Sequence, residues 1–183
     1  MELLLGAGAR RDKVLRLEGR PDHWEQLVTL DFNADHNPDV VHDLNVFPWP
    51  FADNTFDEVH AYEVMEHLGT QGDFRRFFAD FSEIWRVLKP GGVFCGTSPV
   101  WFGRWAWGDP GHTRIISLES FTYLQQPEYI KQVGNTPMTD YRFCYAADFD
   151  VVAAAVDEQA AVFQYGLQAV KPSRIKRQLS EAA

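Results

Sequence analysis

The chain has 183 residues, 45% hydrophobic and 14% aromatic, enough length and apolar content for one globular domain with a true core. Its 17 Lys and Arg stand against 26 Asp and Glu, a formal charge of -9, which argues against the broad basic footprint of a nucleic-acid binder. No signal peptide precedes Leu3, no apolar run nears membrane-spanning length, and the only cysteines are Cys95 and Cys144, so two buried thiols in a reducing cytosol are expected.

Leu3-Leu4-Leu5 reads as a buried strand that stops at the turn Gly6-Ala7-Gly8. Glycine there opens backbone angles closed to other residues and lets a ligand come close. Segment 9–26 is interrupted by Gly19, Pro21 and several charges, leaving room only for a short helix. A standard βαβ unit would place a full crossover helix there. Leu27 to Asp31 is a second strand ending in a carboxylate, Asn33 to Pro38 a polar turn, and Asp39 to Leu44 a short third strand with Asp43 at its tip. The aromatic loop Phe47 to Phe51 is closed by Asp53-Asn54. Phe56 to Tyr62 forms a fourth strand, and Glu63 to Leu68 begins a short helix.

The clearest helix spans Asp73 to about Leu88. Phe74, Phe77, Phe78, Phe81, Ile84, Trp85 and Leu88 recur at helical spacing, with Arg75, Arg76, Asp80, Glu83 and Arg86 assigned to the other side. Pro90-Gly91-Gly92 ends it and leads into a fifth strand, Val93 to Thr97. An aromatic loop follows from Pro99 to Gly111, holding Trp101, Phe102, Trp105 and Trp107. These rings either close over a site or cover the sheet edge. Leu118 to Leu124 looks helical and Gln125 to Met138 irregular. Phe149 to Asp157 and Ala161 to Val170 read as a hairpin, giving an antiparallel edge on an otherwise parallel sheet. Residues 1–171 form the expected single domain and 172–183 a polar tail.

If the first three strands are adjacent and parallel, Gly6, Gly8, Asp31 and Asp43 share one rim, where open α/β sheets bind ligands. A Gly turn with an acid at the next strand tip holds a nucleoside: amides face its charged end and the acid grips its ribose. His112 lies in a turn facing the same rim and titrates near neutrality, so it is either a general base or a hydrogen-bonded loop tie. Glu66-His67 has the look of an acid–base or metal pair, but the six histidines are scattered without ligand spacing, and no metal is expected.

The order of blocks resembles class I S-adenosylmethionine-dependent methyltransferases. It runs through Leu3 to Gly8, Val28 to Asp31, Asp39 to Leu44, Phe47-Pro48 with Asp53 to Val59, Val64 to Leu68 and Glu83 to Gly92. The run Arg86-Val87-Leu88-Lys89-Pro90-Gly91-Gly92 is its most telling part, and the chain looks closest to small bacterial and phage members of the methyltransferase-11 type. That resemblance implies a Rossmann-like three-layer α/β sandwich around a mostly parallel seven-stranded sheet, and S-adenosyl-L-methionine as cofactor. It places Gly6, Ala7 and Gly8 against the methionyl part, Asp31 on the ribose hydroxyls, Phe32 beside the adenine, and Asp43 with Leu44 at the adenine. Tyr62 and Glu63 would line the methionine end. Asp109 to Arg114 is similar to a short Asp-Pro-x-His-x-Arg segment of these relatives, which makes His112, with Asp109, the candidate catalytic pair. Two positions depart from the pattern: Leu4 stands where the first strand often carries an acid, and Arg10 where the loop has a third glycine.

The implied activity is methyl transfer to a small-molecule, sugar or peptide acceptor. Two other readings stay open: an NAD-dependent oxidoreductase, since the Gly turn and Asp31 serve a dinucleotide too, and a non-catalytic module with the same fold. A DNA amino-methylase would want an Asn- or Asp-Pro-Pro-aromatic run where Tyr62-Glu63-Val64-Met65 stands. The acceptor and the oligomeric state are not legible from the residues.

Overall fold

The computed structural model describes residues 1–175. Seven strands form one sheet: β1 Glu2–Leu5, β2 Leu27–Asp31, β3 Val40–Val41, β4 Phe56–Tyr62, β5 Leu88–Pro99, β6 Phe149–Asp157 and β7 Val162–Ala169. Their order is β3-β2-β1-β4-β5-β7-β6. The pairs from β3 through β5 are parallel, whereas β7 runs antiparallel to both β5 and β6. The strand order reverses between β2 and β4, on either side of β1. That places a crevice at the carboxyl end of β1, directly over Gly6.

Helix α1, Phe74–Val87, starts where the Asp73 side chain accepts a 3.0 Å hydrogen bond from the Arg76 amide, capping a free N–H. Its buried Phe78, Phe81, Ile84 and Val87 meet Leu3, Leu5, Val59, Ala61 and Phe94 in the main core. Period-2 alternation explains the choice, because Val59 and Ala61 share one face of β4 while Glu58, His60 and Tyr62 share the other.

Two polar residues of α1 do not face water as the helical pattern led one to expect. Asp80 is fully buried between Arg76, at 2.8 Å, and Arg114, at 3.2 Å. Glu83 accepts from the Trp49 amide and pairs with Arg86, both at 2.6 Å. Loops 44–51 and 112–116 cover that side of the helix, and buried carboxylates are tolerated there because each is paired and hydrogen-bonded.

Three further boundaries differ from expectation. β5 begins at Leu88 itself, pairing with Phe56, and bulges through 89–92 before pairing resumes between Val93 and Glu58. The third strand is only Val40–Val41, its remainder being turn. The stretch read as irregular contains α3, Gln126–Gln132, with a proline in its first turn, where the missing N–H costs nothing. Residues 118–124 are helical in two short pieces, α2 Leu118–Phe121 and a 3-10 turn at Thr122–Leu124. Cys95 is buried as expected; Cys144 is exposed, and both are free thiols.

Among the described residues, the rear face of the sheet carries no helix. Segment 9–26 crosses it as irregular chain, held by a charged cluster: Lys13 Nζ lies 2.8 Å from Glu58 Oε2, and His60 Nε2 lies 2.7 Å from the same oxygen. Trp24 sets its edge against the His60 ring at 4.8 Å. Burial alone would raise the Glu58 carboxyl, but hydrogen bonds from His60 and Lys13 and their charges hold it at about 2. Burial lowers the His60 pKa, against the opposing pull of the Glu58 carboxylate. Beyond β7, Arg174 pairs with Asp148 at 2.6 Å and Asp150 at 2.7 Å. The rest of the expected tail, 176–183, lies outside the described residues. No helix among the described residues is long and apolar enough to cross a membrane.

Candidate active site

A hollow of about 570 Å³ opens over the carboxyl ends of β1, β2 and β4, within the range of small-ligand sites. Gly6, Gly8, Asp31, Phe32, Asp43, Leu44 and Glu63, seven of the residues singled out from the sequence, line it. Gly6 and Gly8 both have positive φ, +56° and +54°. Gly6 is doubly constrained, since a Cβ there would stand 2.6 Å from Val64 Cγ2. Ala7 is buried and donates its amide to Leu30 O at 3.1 Å, tying the turn to β2 rather than lining the hollow.

Asp31 is the organising carboxylate. One oxygen accepts from the Gly8 amide at 2.8 Å and the other from the Asn33 amide at 2.8 Å. Burial pushes its pKa up, but these amides and His36 outweigh it, so the carboxyl sits below its ordinary value. His36 Nδ1 lies 3.3 Å from Asp31 Oδ1, close enough to attract but not aligned to hydrogen-bond, so this nitrogen is buried without a partner. Phe32 beside it is 76% exposed, an unusual position for a large ring and one that offers a free face to a planar ligand. Asp43 folds back on the Asn45 amide at 2.8 Å, while Leu44 is buried beneath.

Tyr62 sits elsewhere. Strand parity sends its side chain to the rear face, where its hydroxyl meets His60 Nδ1 at 2.7 Å and accepts from the amides of Val14 and Leu15. Glu63, the next residue, turns toward the hollow with φ +56°, a left-handed conformation rare for a non-glycine residue. Its amide is held by Thr97 O at 3.1 Å. Such strain at a rim residue is a common mark of a functional position.

The two departures from the family pattern lie apart from the lining of the hollow. Leu4 is a buried residue of β1, and Arg10 extends into solvent. Arg11, which sequence reasoning passed over, does more: its guanidinium donates to Gly8 O at 2.6 Å and His36 O at 2.9 Å, clamping the Gly turn to the β2–β3 turn.

Asp109 and His112 stand next to Gly111 and His67 but do not themselves line the hollow; Asp109 Oδ1 accepts from the Gly111 amide at 2.7 Å and its carbonyl from the His112 amide at 3.1 Å. Asp109 therefore shapes the turn rather than touching the His112 ring. His112 Nδ1 is 2.9 Å from Trp105 O. Because a carbonyl only accepts, Nδ1 carries a proton, and in the neutral ring Nε2 is the basic nitrogen. Arg114, the last residue of this segment, anchors it on Asp80. Of the aromatic loop, Trp101 packs on Phe163 of the interior strand β7 at 5.2 Å, whereas Phe102, Trp105 and Trp107 are exposed, and none of the four lines the hollow. A smaller cleft of about 280 Å³ at the start of α1 contains none of the strand-tip residues.

Sequence spacing gave no sign that Glu66, His67 and His112 would meet. One ligand-type atom from each lies within 4.8 Å of the others. Glu66 is 1% exposed; Ser98 donates to its Oε2 at 3.0 Å, and its Oε1 has no partner. Burial raises this carboxyl to about 8.

Comparison with known proteins agrees with the sheet order. Residues 21–96 match the model of a methyltransferase domain. The chain is 37% identical over 84 residues to a probable S-adenosylmethionine-dependent methyltransferase of Mycolicibacterium smegmatis, covering 44% of this chain and 30% of that protein. It is 33% identical over 67 residues to a sterol 24-C-methyltransferase of Pneumocystis carinii, covering 37% and 16%. The chain thus spans less than a third of the length of either relative. Among solved structures, the N-methyltransferase NodS of Bradyrhizobium japonicum superposes with TM-score 0.55 at 14% identity, over 93% of this chain and 85% of that one. A SAM-dependent methyltransferase of Archaeoglobus fulgidus gives 0.53 at 14%, over 91% and 85%. The 3-2-1-4-5-7-6 sheet is thus the fold of the solved methyltransferases it superposes on, and its central blocks, residues 21–96, are similar to a methyltransferase domain.

Proposed function

We propose that the chain binds S-adenosyl-L-methionine in the hollow and transfers its methyl group to a hydroxyl or amine of a small-molecule, sugar or peptide acceptor. The observation that carries this reading is the convergence of the Gly6–Gly8 turn, the buried ionised Asp31 and the exposed Phe32 ring on one hollow of about 570 Å³. Asp31 would hold the ribose hydroxyls, Phe32 and Leu44 would flank the adenine with Asp43 accepting from its amino group, and the Gly turn and Glu63 would face the methionyl end. The cofactor supplies an activated methyl on sulfur; this chain's residues bind it, orient it and exclude water, which supplies much of the acceleration in an in-line displacement. His112, packed against the hollow-lining His67 at 4.7 Å, is the imidazole able to take the acceptor's proton through the Nε2 of its neutral ring.

A dinucleotide fits less well. Its pyrophosphate is normally held at the N-terminus of a helix following the Gly turn, and here the turn continues into irregular chain. Calorimetric titration with S-adenosylmethionine, S-adenosylhomocysteine and NAD discriminates the readings. Saturable binding of the first two is expected; NAD binding alone, or none, would overturn the proposal.

A further inference from the structure

The grouping of Glu66, His67 and His112 has no explanation in methyl transfer as such. A buried carboxyl oxygen without a hydrogen-bond partner is costly, and among the described residues Glu66 Oε1 has none. Both neighbouring rings are oriented in the same way: His67 Nδ1 lies 3.0 Å from Gly111 O and His112 Nδ1 lies 2.9 Å from Trp105 O. Each Nδ1 donates to its carbonyl, so in the neutral imidazole Nε2 is the nitrogen with a free lone pair. The rings stand edge to face at 4.7 Å. Imidazoles fixed through Nδ1–H to backbone carbonyls, with Nε2 free, are oriented as metal ligands are.

We propose that Glu66, His67 and His112 bind one divalent transition cation, of the zinc, manganese or iron class, at the acceptor side of the hollow. Two imidazoles and one carboxylate suit these ions better than calcium or magnesium. The backbone is built to hold them: Glu66 O accepts from the amides of Thr113 at 2.9 Å and Arg114 at 3.1 Å, so the 3-10 turn Met65–His67 and the His112 segment are pinned together. The ion would compensate Glu66 Oε1.

Three protein ligands leave at least one coordination position open, and His67 and Gly111 belong to the hollow's lining. The open position would take an oxygen of the acceptor, which points to a hydroxyl-bearing acceptor class; this last step rests on the methyltransferase reading. The cation would lower the acceptor's O–H pKa and the proton would pass to solvent. The freed oxygen pair would form the O–CH3 bond, and the S–CH3 pair would stay on sulfur as S-adenosylhomocysteine leaves. His112 would then serve as ligand in place of base.

The test uses the untagged full chain stripped with a chelator and titrated with zinc chloride by calorimetry, with cobalt chloride absorbance as a second probe. One equivalent of saturable binding is expected, with visible d–d bands for cobalt. His112→Ala and His67→Ala, at half-buried and exposed positions, should each weaken zinc by at least about tenfold, with thermal melts verifying that they fold. Absence of a one-equivalent site, or undiminished affinity in both variants, would overturn the metal site. A parallel titration with S-adenosylmethionine separates the two ideas. Cofactor binding without zinc binding defeats the cation alone, and zinc binding without cofactor binding defeats the acceptor assignment and the functional reading but not the site.

Discussion

The rear-face cluster makes acid stability a sharp test of the structure. Glu58→Gln removes the carboxylate that pairs with Lys13 and leaves that amine buried without its partner, while His60 keeps its ring position. The Glu58 carboxyl falls from 4.5 in the unfolded chain to about 2 in the fold. Its folded value is depressed, so its stabilisation is complete above the unfolded pKa and fades as pH drops through the folded one. A shift of that size is worth about 3 kcal/mol at neutral pH. Between pH 6 and pH 3 about 2 kcal/mol of it is lost. For a chain of this length that is roughly 4–8 °C of melting temperature. Urea unfolding of wild type and Glu58→Gln at both pH values should therefore show the gap between them narrowing by about 2 kcal/mol on acidification. The difference between proteins cancels the titrating groups that do not touch Glu58. A gap that stays constant would refute the claim that Lys13 and His60 hold this carboxyl ionised.

Gly6→Ala forces a Cβ into Val64 at a positive φ and should cost about 1–3 kcal/mol while abolishing cofactor binding, read by melting and calorimetry. Asp31→Asn should weaken S-adenosylmethionine by about 10- to 100-fold in calorimetry, the worth of a charge-assisted hydrogen bond. Phe32→Ala, at a largely exposed ring, should leave the melting temperature unchanged and lower cofactor affinity by about threefold to tenfold. Arg114→Met strips Asp80 of one of its two guanidinium partners and should cost about 3 kcal/mol in urea unfolding.

Much of this architecture is legible in one dimension. An apolar run stopped by glycine marked β1, a run ending in a carboxylate marked β2, and the phenylalanines of α1 repeat at the helical period because its buried stripe faces the sheet. The hairpin lies within a residue of where alternation placed it. What periodicity missed depends on partners far along the chain. Asp80 and Glu83 look like solvent residues until Arg114 and Trp49 arrive to pair with them. Tyr62 was legible in principle: it alternates with Glu58 and His60, and counting by twos from either sends it behind the sheet. The meeting of His67 and His112, 45 positions apart, had no local signal. Arg11 was invisible for the same reason, its two targets being main-chain carbonyls.

The missing crossover helix has an effect beyond shape. Within 9–26, only one backbone–backbone hydrogen bond, from the Arg20 amide to Leu17 O, joins two of its own residues. Its order is borrowed from side chains reaching behind the sheet, and Arg11 passes that order to the loop under the hollow. Whatever ligand needs that loop in place must also favour the docked segment over the detached one. Occupancy of the front should slow amide exchange across 9–26 at the back, and loosening the back should weaken what the front can hold, by the same free energy in either direction.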